Sequence, residues 1–302
     1  MHIKEDQHNH DLPPLYPLLY EELVRKALSE DLGRAGDTTT DAIVSLDDTA
    51  TAIIRAHAPG RVAGIDVARY AFHCLDAELG FEILLHDGYD AEPGDTIAVV
   101  HGAARPLLSA ERTALNFLTR LSGIATATRD IVSLVSRHRA RVVCTRKTTP
   151  GLRTLEKFAV RAGGGFNHRF GLDDAVLIKD NHIAIAGGVS EAIRRVRRRI
   201  GHMVKIEVEV DTLDQLEAAL REKVDAILLD NMSVETIAEA VRMTRRRAIV
   251  EASGGVTAET AEAIAATGVD LLSIGWITHS APALNLSLDI AFENYVSQEF
   301  AV

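Results

Sequence analysis

The sequence predicts an α/β protein in which an α+β region is followed by a barrel-like α/β domain over about residues 110–280. Six short apolar runs recur between residues 141 and 275, and helical patterns separate most of them, which is typical of parallel βαβ units. The residues before them combine β-branched runs with single helices. At roughly 150 residues per domain, 302 residues suffice for about two domains. A doubly wound sheet is the alternative for the repeating part.

The first region is expected to hold two helices and two strands. Leucines near helical spacing predict a helix over 16–31, which Gly33 ends. The β-branched runs 49–57 and 96–101 predict strands, and a helical stretch lies between them at 67–79.

A long helix over 107–137, interrupted at Ser122 and Gly123, leads into the repeating part. The strands expected there are 141–145, 175–179, 205–210, 226–230, 248–252 and 271–275. The helices expected between them are 190–200, 213–220, 234–244 and 258–266. A final helix over 284–295 is expected to pack back onto the first domain.

Composition and charge exclude several classes of protein. Hydrophobic residues make up 47% and charged residues 25% of the chain, as in ordinary soluble domains. No run approaches the roughly 18 apolar residues of a membrane span, and the first residues lack the pattern of a signal peptide. A chain of this length needs no disulfide framework, so its two cysteines fit a cytoplasmic protein. The net charge of −10 argues against general nucleic-acid binding.

Two further segments are expected to carry no site. Residues 1–14 contain three histidines among polar residues and are interpreted as a flexible tail rather than a metal site. The basic run 194–199 falls on a predicted helix with Ile193, Val196 and Ile200 on one face. It is therefore interpreted as the solvent-exposed side of that helix.

Polar residues or glycine follow every predicted strand of the repeating part. In a parallel α/β barrel, the functional groups lie at the carboxyl ends of the strands and in the loops after them. One polar strand end would not indicate a site, but six such strand ends are expected to converge on one mouth of the barrel. They are residues 145–149, 179–182, 207–211, 230–231, 253–255 and 275–280.

The segment 145–182 is basic within an acidic chain. Seven arginines and lysines against four acids give it a charge of +3. Lys157 and Arg161 are expected on an outward-facing part of a helix. Clustered arginine and lysine recognise carboxylates and phosphates, so the substrate is expected to be strongly anionic. Five basic side chains fall at strand ends or in loops, namely Arg146, Lys147, His168, Arg169 and Lys179.

Two acids and a glycine turn narrow the ligand further. Glu209 and Asp230 end adjacent strands, where they either neutralise the basic residues or hold Mg²⁺ and sugar hydroxyls. Ser253 and Gly254 lead into a helix, which favours an anion. With Gly275 they belong to the last two strand–helix loops, where barrels commonly bind phosphate. A sugar phosphate beside a second anion is therefore expected, and an enzyme is favoured over a binding module.

Eight ordered motifs connect these residues. They are ERTALN at 111–116, LSGIAT at 121–126, TRKT at 145–148, GGGFNHR at 163–169, IKDNH at 178–182, EVEV at 207–210, LDN at 229–231 and SGG at 253–255. Together with EDLG at 30–33 and GDTT at 36–39, they resemble the quinolinate phosphoribosyltransferase family, also named carboxylating nicotinate-nucleotide pyrophosphorylase. The likeness covers nearly the whole chain beyond the tail, without a departure at a candidate site residue.

The resemblance implies a reaction and a set of roles. Quinolinate and 5-phosphoribosyl-1-pyrophosphate (PRPP) would give nicotinate mononucleotide, pyrophosphate and CO2 in NAD biosynthesis, with Mg²⁺ as cofactor. The carboxylates of quinolinate would be held by Arg112, Arg146, His168, Arg169 and Lys179. The catalytic residues would be Lys147, close to both substrates, and the ribose- and Mg²⁺-contacting acids Glu209 and Asp230. The 5-phosphate would be held by Ser253, Gly254, Gly275 and His279.

The resemblance also implies the architecture and assembly. An N-terminal α/β sandwich domain over 15–120 would follow the flexible tail over 1–14. An incomplete, open α/β barrel over 121–280 would come next, and a C-terminal helical segment over 281–302 would pack on the sandwich domain. The site would be shared across a homodimer that takes Arg112 from the partner chain, with a hexamer left open.

Two alternatives remain at this stage. One is a paralogue of the same fold, such as the molybdenum-transport-associated proteins or a nicotinate phosphoribosyltransferase that does not decarboxylate. The other is a catalytically silent sensor of sugar phosphates. The full set of cations favours a dicarboxylate, and the presence of Glu209 and Asp230 argues against a silent sensor.

Overall fold

The computed structural model describes residue 12 and residues 15–290, which fall into two units. The first unit contains the residues up to Ala127, Thr149–Gly164 and the residues from Ser280 on. The second contains Thr128–Thr148 and Gly165–His279. Residues 149–164, which the expected boundaries place in the barrel domain, thus cluster with the first unit. Apart from residue 12, the expected tail over 1–14 lies outside the described residues.

The described residues form eleven α-helices and twelve strands. A short 3-10 helix, Pro17–Leu19, precedes the helices α1 Glu21–Leu32, α2 Thr38–Ile43, α3 Ile65–Leu75, α4 Ala104–Val135, α5 Arg153–Ala162, α6 Asp180–Ala186, α7 Val189–Arg197, α8 Leu213–Arg221, α9 Val234–Thr244, α10 Ala258–Ala266 and α11 Trp276–His279. The strands are β1 Thr49–Ala56, β2 Gly60–Arg61, β3 Gly80–Ile83, β4 Asp90–Ala91, β5 Thr96–Ala103, β6 Arg141–Val143, β7 Val176–Ile178, β8 Ile206–Val210, β9 Ala226–Asp230, β10 Ile249–Ser253, β11 Leu271–Ser273 and β12 Leu286–Ile290.

The first unit is built on a four-stranded sheet with the order β12-β1-β5-β3, in which all neighbours are antiparallel. Ala52, Ile54 and Ala56 alternate along β1 and have no exposed surface. Because side chains two apart on a strand share a face, these residues direct one face of the sheet into the core.

The prediction of a helix over 284–295 is wrong for residues 284–290, the part that the structure describes. Leu286–Ile290 forms the edge strand β12, with Leu288 opposite Ile54 of β1. Apolar residues alternate there with Ser287 and Asp289, which is the period of a strand rather than of a helix. Residues 291–302, the rest of the expected segment, lie outside the described residues.

The interruption expected in the long helix is also wrong, because α4 runs unbroken through Ser122 and Gly123. The Ser122 hydroxyl accepts a hydrogen bond from the Ala63 backbone N–H at 3.0 Å. A Cβ atom at Gly123 would overlap the carbonyl oxygen of Pro282. The two small residues therefore mark places where other segments of the unit approach the helix closely.

The second unit is a six-stranded parallel sheet with the order β6-β11-β10-β9-β8-β7. Within this unit the first strand, β6, pairs with the last, β11, as barrel closure requires. No ladder joins the described strands β6 and β7. One bridge between Val143 and Phe166 lies in that gap. The open barrel is thereby confirmed. The doubly wound alternative fails, because its strand order would reverse within the sheet.

The elements predicted for this unit are present with ends within three residues of the expected positions. Helix α6, which begins directly after β7, was not predicted. Within residues 12 and 15–290, no helix is both long and apolar enough to span a membrane.

Candidate active site at the mouth of the open barrel

The strand register of the second unit places predicted site residues side by side. Ser253 at the end of β10 pairs with Asp230 on one side and with Ser273 on the other. Glu209 of β8 pairs with Leu228, two residues before Asp230. Partners in a parallel sheet and residues two apart on a strand share a face. Glu209, Asp230 and Ser253 therefore lie on one face of the sheet, at its carboxyl edge.

Two acids to which the sequence analysis gave no role lie one layer deeper on this face. Glu207 precedes Glu209 by two residues, Glu251 precedes Ser253 by two, and they are 7% and 1% exposed. The Nε2 atom of His168 lies 2.8 Å from Glu207 Oε2 and 3.7 Å from Glu251 Oε1. Burial, and then the charge of Glu207, raise the pKa of Glu251 to about 8. Burial in this layer therefore favours the neutral form of Glu251.

Both ring nitrogens of His168 bond within the protein. The backbone N–H of Arg169 donates to Nδ1 at 2.8 Å, so the proton of the neutral ring is on Nε2. That Nε2–H donates to Glu207. The role expected for His168, binding a substrate carboxylate, remains a prediction, and this arrangement offers the substrate no N–H from the ring.

The predicted cations lie around this layer. Burial, and then the charge of Arg146, lower the pKa of Arg169, so the two guanidinium groups lie within each other's field. Arg169 Nη1 also donates to the Ala175 carbonyl at 3.0 Å. Lys179 Nζ donates to Glu209 Oε2 at 2.7 Å, and Glu209 is 8% exposed. The mouth therefore holds like charges close together, which favours an anionic ligand.

Three of the basic residues of the segment 145–182 lie elsewhere. Arg153, Lys157 and Arg161 belong to α5 in the first unit. The outward orientation expected for Lys157 is wrong, because its side chain is fully buried.

The glycine loop after β10 has a conformation that only glycine adopts readily. Gly254 has a φ of +84°, and a Cβ atom there would overlap the side-chain oxygen of Asn231. Asn231 is held in turn, because its backbone N–H donates to the Ser253 carbonyl at 3.0 Å and its side-chain amide to Asp230 Oδ2 at 2.8 Å. The loop and the strand-end acid Asp230 therefore form one connected structure.

Three of the predicted site residues lie close together in the segments that follow β6 and β11, namely Lys147, Gly275 and His279. A Cβ atom at Gly275 would lie 3.0 Å from Lys147 Cδ and 3.5 Å from the His279 ring. The Thr278 hydroxyl donates to the Lys147 carbonyl at 2.8 Å and fixes the segment after β6 against the loop after β11.

Arg112 is the one predicted site residue outside the second unit. It lies on α4 in the first unit, its side chain is 65% exposed, and its guanidinium is 3.5 Å from the Glu111 carboxylate. The second unit alone therefore brings together the other predicted site residues.

The fold and this mouth define an open α/β-barrel protein built to bind anionic, phosphorylated ligands. The chain matches the family description "Quinolinate phosphoribosyl transferase, N-terminal domain" over residues 37–122 and the corresponding C-terminal domain over residues 124–289. The chain belongs to the quinolinate phosphoribosyl transferase family.

Relatives and solved structures agree with this assignment. A probable nicotinate-nucleotide pyrophosphorylase (carboxylating) of Bacillus subtilis (strain 168) is 42% identical over 282 residues, 93% of this chain and 97% of that protein. A nicotinate-nucleotide pyrophosphorylase (carboxylating) of Mycobacterium leprae (strain TN) is 44% identical over 274 residues, 89% of this chain and 96% of that protein. The crystal structure of NadC from Streptococcus pyogenes has a TM-score of 0.89 at 39% identity and covers 93% of this chain and 100% of that one.

Proposed function

We propose that this chain is a quinolinate phosphoribosyltransferase, which converts quinolinate and PRPP to nicotinate mononucleotide, pyrophosphate and CO2 for NAD biosynthesis. The observation that carries the proposal is the placement of Arg146, Arg169 and Lys179 beside the acids of the same barrel mouth. Cations recognise the acid groups of both substrates, and the acids suit a sugar that becomes positively charged.

Quinolinate carries two carboxylates on adjacent ring positions. Arg146, Arg169 and Lys179 supply the charge to hold them in the second unit, and Lys179 would exchange its contact with Glu209 for the substrate. Arg112 would complete this set from a second copy of the chain, as in a homodimer; its exposed guanidinium supports this. A hexamer made of three such dimers would keep this arrangement. The expected compartment is the cytoplasm.

PRPP would lie across the glycine loops and the strand-end acids. Its 5-phosphate would accept hydrogen bonds from Ser253 and Gly254 at the end of β10, and from Gly275 and His279 after β11. Its ribose hydroxyls would donate to Glu209 and Asp230, whose carboxylates face the same side of the sheet. Lys147, beside Gly275, would reach the pyrophosphate.

The reaction follows from these charges. As pyrophosphate leaves, positive charge develops at the anomeric carbon of the ribose, and Glu209 and Asp230 stabilise it. The pyridine nitrogen of quinolinate then bonds to that carbon and becomes cationic. The C–C bond to the adjacent carboxylate breaks, CO2 leaves, and the electron pair stays on the ring carbon until it binds a proton. The residues therefore bind and orient the substrates, and no covalent enzyme intermediate is proposed.

Mg²⁺ fits the donor set of this mouth. Asp230 offers a partly exposed carboxylate oxygen, which suits a hydrated ion that also contacts phosphates, whereas Glu209 already accepts from Lys179. Asp230, with Glu209 beside it, would hold the ion. When bound, Mg²⁺ would neutralise charge on the pyrophosphate group.

The test is pyrophosphate release by the purified full chain with PRPP, Mg²⁺ and either quinolinate or nicotinate. Release with quinolinate and at most slow release with nicotinate are expected. Release with nicotinate alone would assign a phosphoribosyltransferase that does not decarboxylate. No release with either would support a silent sensor instead.

A further inference from the structure

A partly buried chain of hydrogen bonds connects strand β8 to the loop that carries Arg169. Glu207 on β8 accepts from His168 Nε2 at 2.8 Å, and His168 Nδ1 accepts from the Arg169 backbone N–H at 2.8 Å. We propose that Glu207 is a positioning residue that fixes the ring of His168 and, through it, the place of Arg169. This rests on the proposed function in that Arg169 is taken as a residue that binds a substrate carboxylate.

The ring can make both bonds in only one protonation form. A backbone N–H can only donate, so Nδ1 carries no proton, and the neutral ring must be protonated on Nε2. Glu207 supplies the acceptor that this Nε2–H requires. In this protonation form Nε2 carries a proton and cannot bind a metal ion. This holds although His168, Glu207 and Glu251 bring ligand atoms within 4.8 Å of one another.

Contacts within the loop around Arg169 add to this anchor. The backbone N–H groups of Phe170 and Gly171 donate to the Asp174 carboxylate at 2.7 Å and 3.0 Å. The guanidinium of Arg169 donates to Ala175 in the same loop. The His168–Glu207 bond joins this loop to the rigid sheet, so losing the bond lets Arg169 move relative to Arg146.

Glu207, rather than the neighbouring Glu251, fits this role. Glu251 lies at 3.7 Å from Nε2, beyond a hydrogen bond, whereas Glu207 lies at 2.8 Å. Glu207 Oε2 is therefore the carboxylate oxygen that accepts from the ring.

The test compares substitutions of matched size in the same buried layer. Glu207→Met removes the acceptor, Glu207→Gln keeps an acceptor oxygen, and Glu251→Met makes the control change on the neighbouring side of the ring. Glu207→Met is expected to raise the KM for quinolinate roughly tenfold with the KM for PRPP within about twofold. Glu207→Gln and Glu251→Met are expected to stay within about threefold of the wild type for quinolinate.

Three kinetic results would overturn the proposal. One is an unchanged quinolinate KM in Glu207→Met, another is an equal rise in both KM values, and the third is an effect of Glu251→Met as large as that of Glu207→Met. A mere packing defect predicts the last two results, because it does not distinguish the substrates or the two acids.

A spectroscopic measurement on the wild-type chain tests the proposal without activity. Long-range ¹H–¹⁵N spectra of the histidine-labelled protein should show His168 protonated on Nε2 and unprotonated on Nδ1 at neutral pH. The opposite tautomer would refute the proposal even if a Glu207 variant failed to fold. If the wild type did not use quinolinate, the proposed function would fail, whereas the observed tautomer would still decide the role of Glu207.

Discussion

Gly254 is the residue whose backbone most directly shapes the phosphate end of the mouth. Its φ of +84° strains any other residue, and a Cβ atom there would displace Asn231, which holds Asp230. Gly254→Ala is therefore expected to raise the KM for PRPP by at least about tenfold, through roughly 1–2 kcal/mol of backbone strain and the overlap. Steady-state kinetics with varied PRPP measure this effect.

Gly255 provides the matched control. It has a φ of +62°, but a Cβ atom there meets nothing within 4 Å. Gly255→Ala is expected to lower stability by roughly 1 kcal/mol and to change the KM for PRPP much less than Gly254→Ala. Equal effects of the two substitutions on PRPP would show that the contact with Asn231 does not shape the site.

The position of most of the proposed site residues at the barrel mouth was predictable, because strand ends on the carboxyl face of a barrel are recognisable from sequence. Lys179, Glu209 and Asp230 are examples. Glu207 was expected only as part of the strand end 207–211 and Glu251 was not recognised, because the sequence does not show which residues contact them. The alternation of Glu207 and Glu209 along β8 was the available signal. The sequence does not show that His168 lies beside Glu207, because the two residues are 39 positions apart in the chain.

At the scale of elements, Gly123 allows the segment before β12 to approach α4. Alanine normally stabilises an exposed helix by roughly 0.5–1 kcal/mol relative to glycine. Here the added Cβ atom meets the backbone of Pro282, so Gly123→Ala is expected to destabilise the protein by roughly 1–3 kcal/mol. Urea unfolding measures the difference. A stabilised variant would mean that this close approach is absent in solution.

Helix α3 begins beside a carboxylate that gives the first unit a pH dependence. Asp87 accepts the backbone N–H of Ile65 at 3.0 Å, and removal from water raises its pKa from 3.8 to about 7. Between these values the unfolded chain releases the proton while the folded chain keeps it. The contribution of Asp87 to stability therefore falls as the pH rises from about 4 to about 7.

Asp87→Asn removes this titration and keeps an acceptor oxygen for Ile65. The variant should therefore gain stability relative to the wild type when the pH is raised from 5 to 8. The free energy of unfolding at the two pH values measures this. The same pH dependence in both proteins would contradict the raised pKa of Asp87.

Elements with a strong period were predictable from sequence, and those decided by packing were not. The six barrel strands and four of their helices appear near the expected positions. At Gly123 the sequence suggested a break, because the glycine signal is the same for a break and for a close contact. Over 286–290 the alternation of leucine and polar residues indicates a strand, and the predicted helix did not take it into account.

At the scale of the whole molecule, the site is proposed to need two chains. Arg112 lies in the first unit, and Lys147 in the second. Arg112→Ala and Lys147→Ala are each expected to be nearly inactive as pure proteins. Mixed subunits that exchange should recover activity, because some of their sites then contain both wild-type residues. Pyrophosphate release after mixing measures this, and no recovery in verified mixed dimers would count against a shared site.

In the proposed reaction the chain joins quinolinate to the ribose of PRPP and then removes one carboxylate. The most direct measurement is the amount of CO2 released from quinolinate labelled in the carboxylate next to the ring nitrogen, compared with the pyrophosphate formed. The proposed function predicts one CO2 for each pyrophosphate, and none without PRPP. Pyrophosphate without CO2, or neither product, would contradict it.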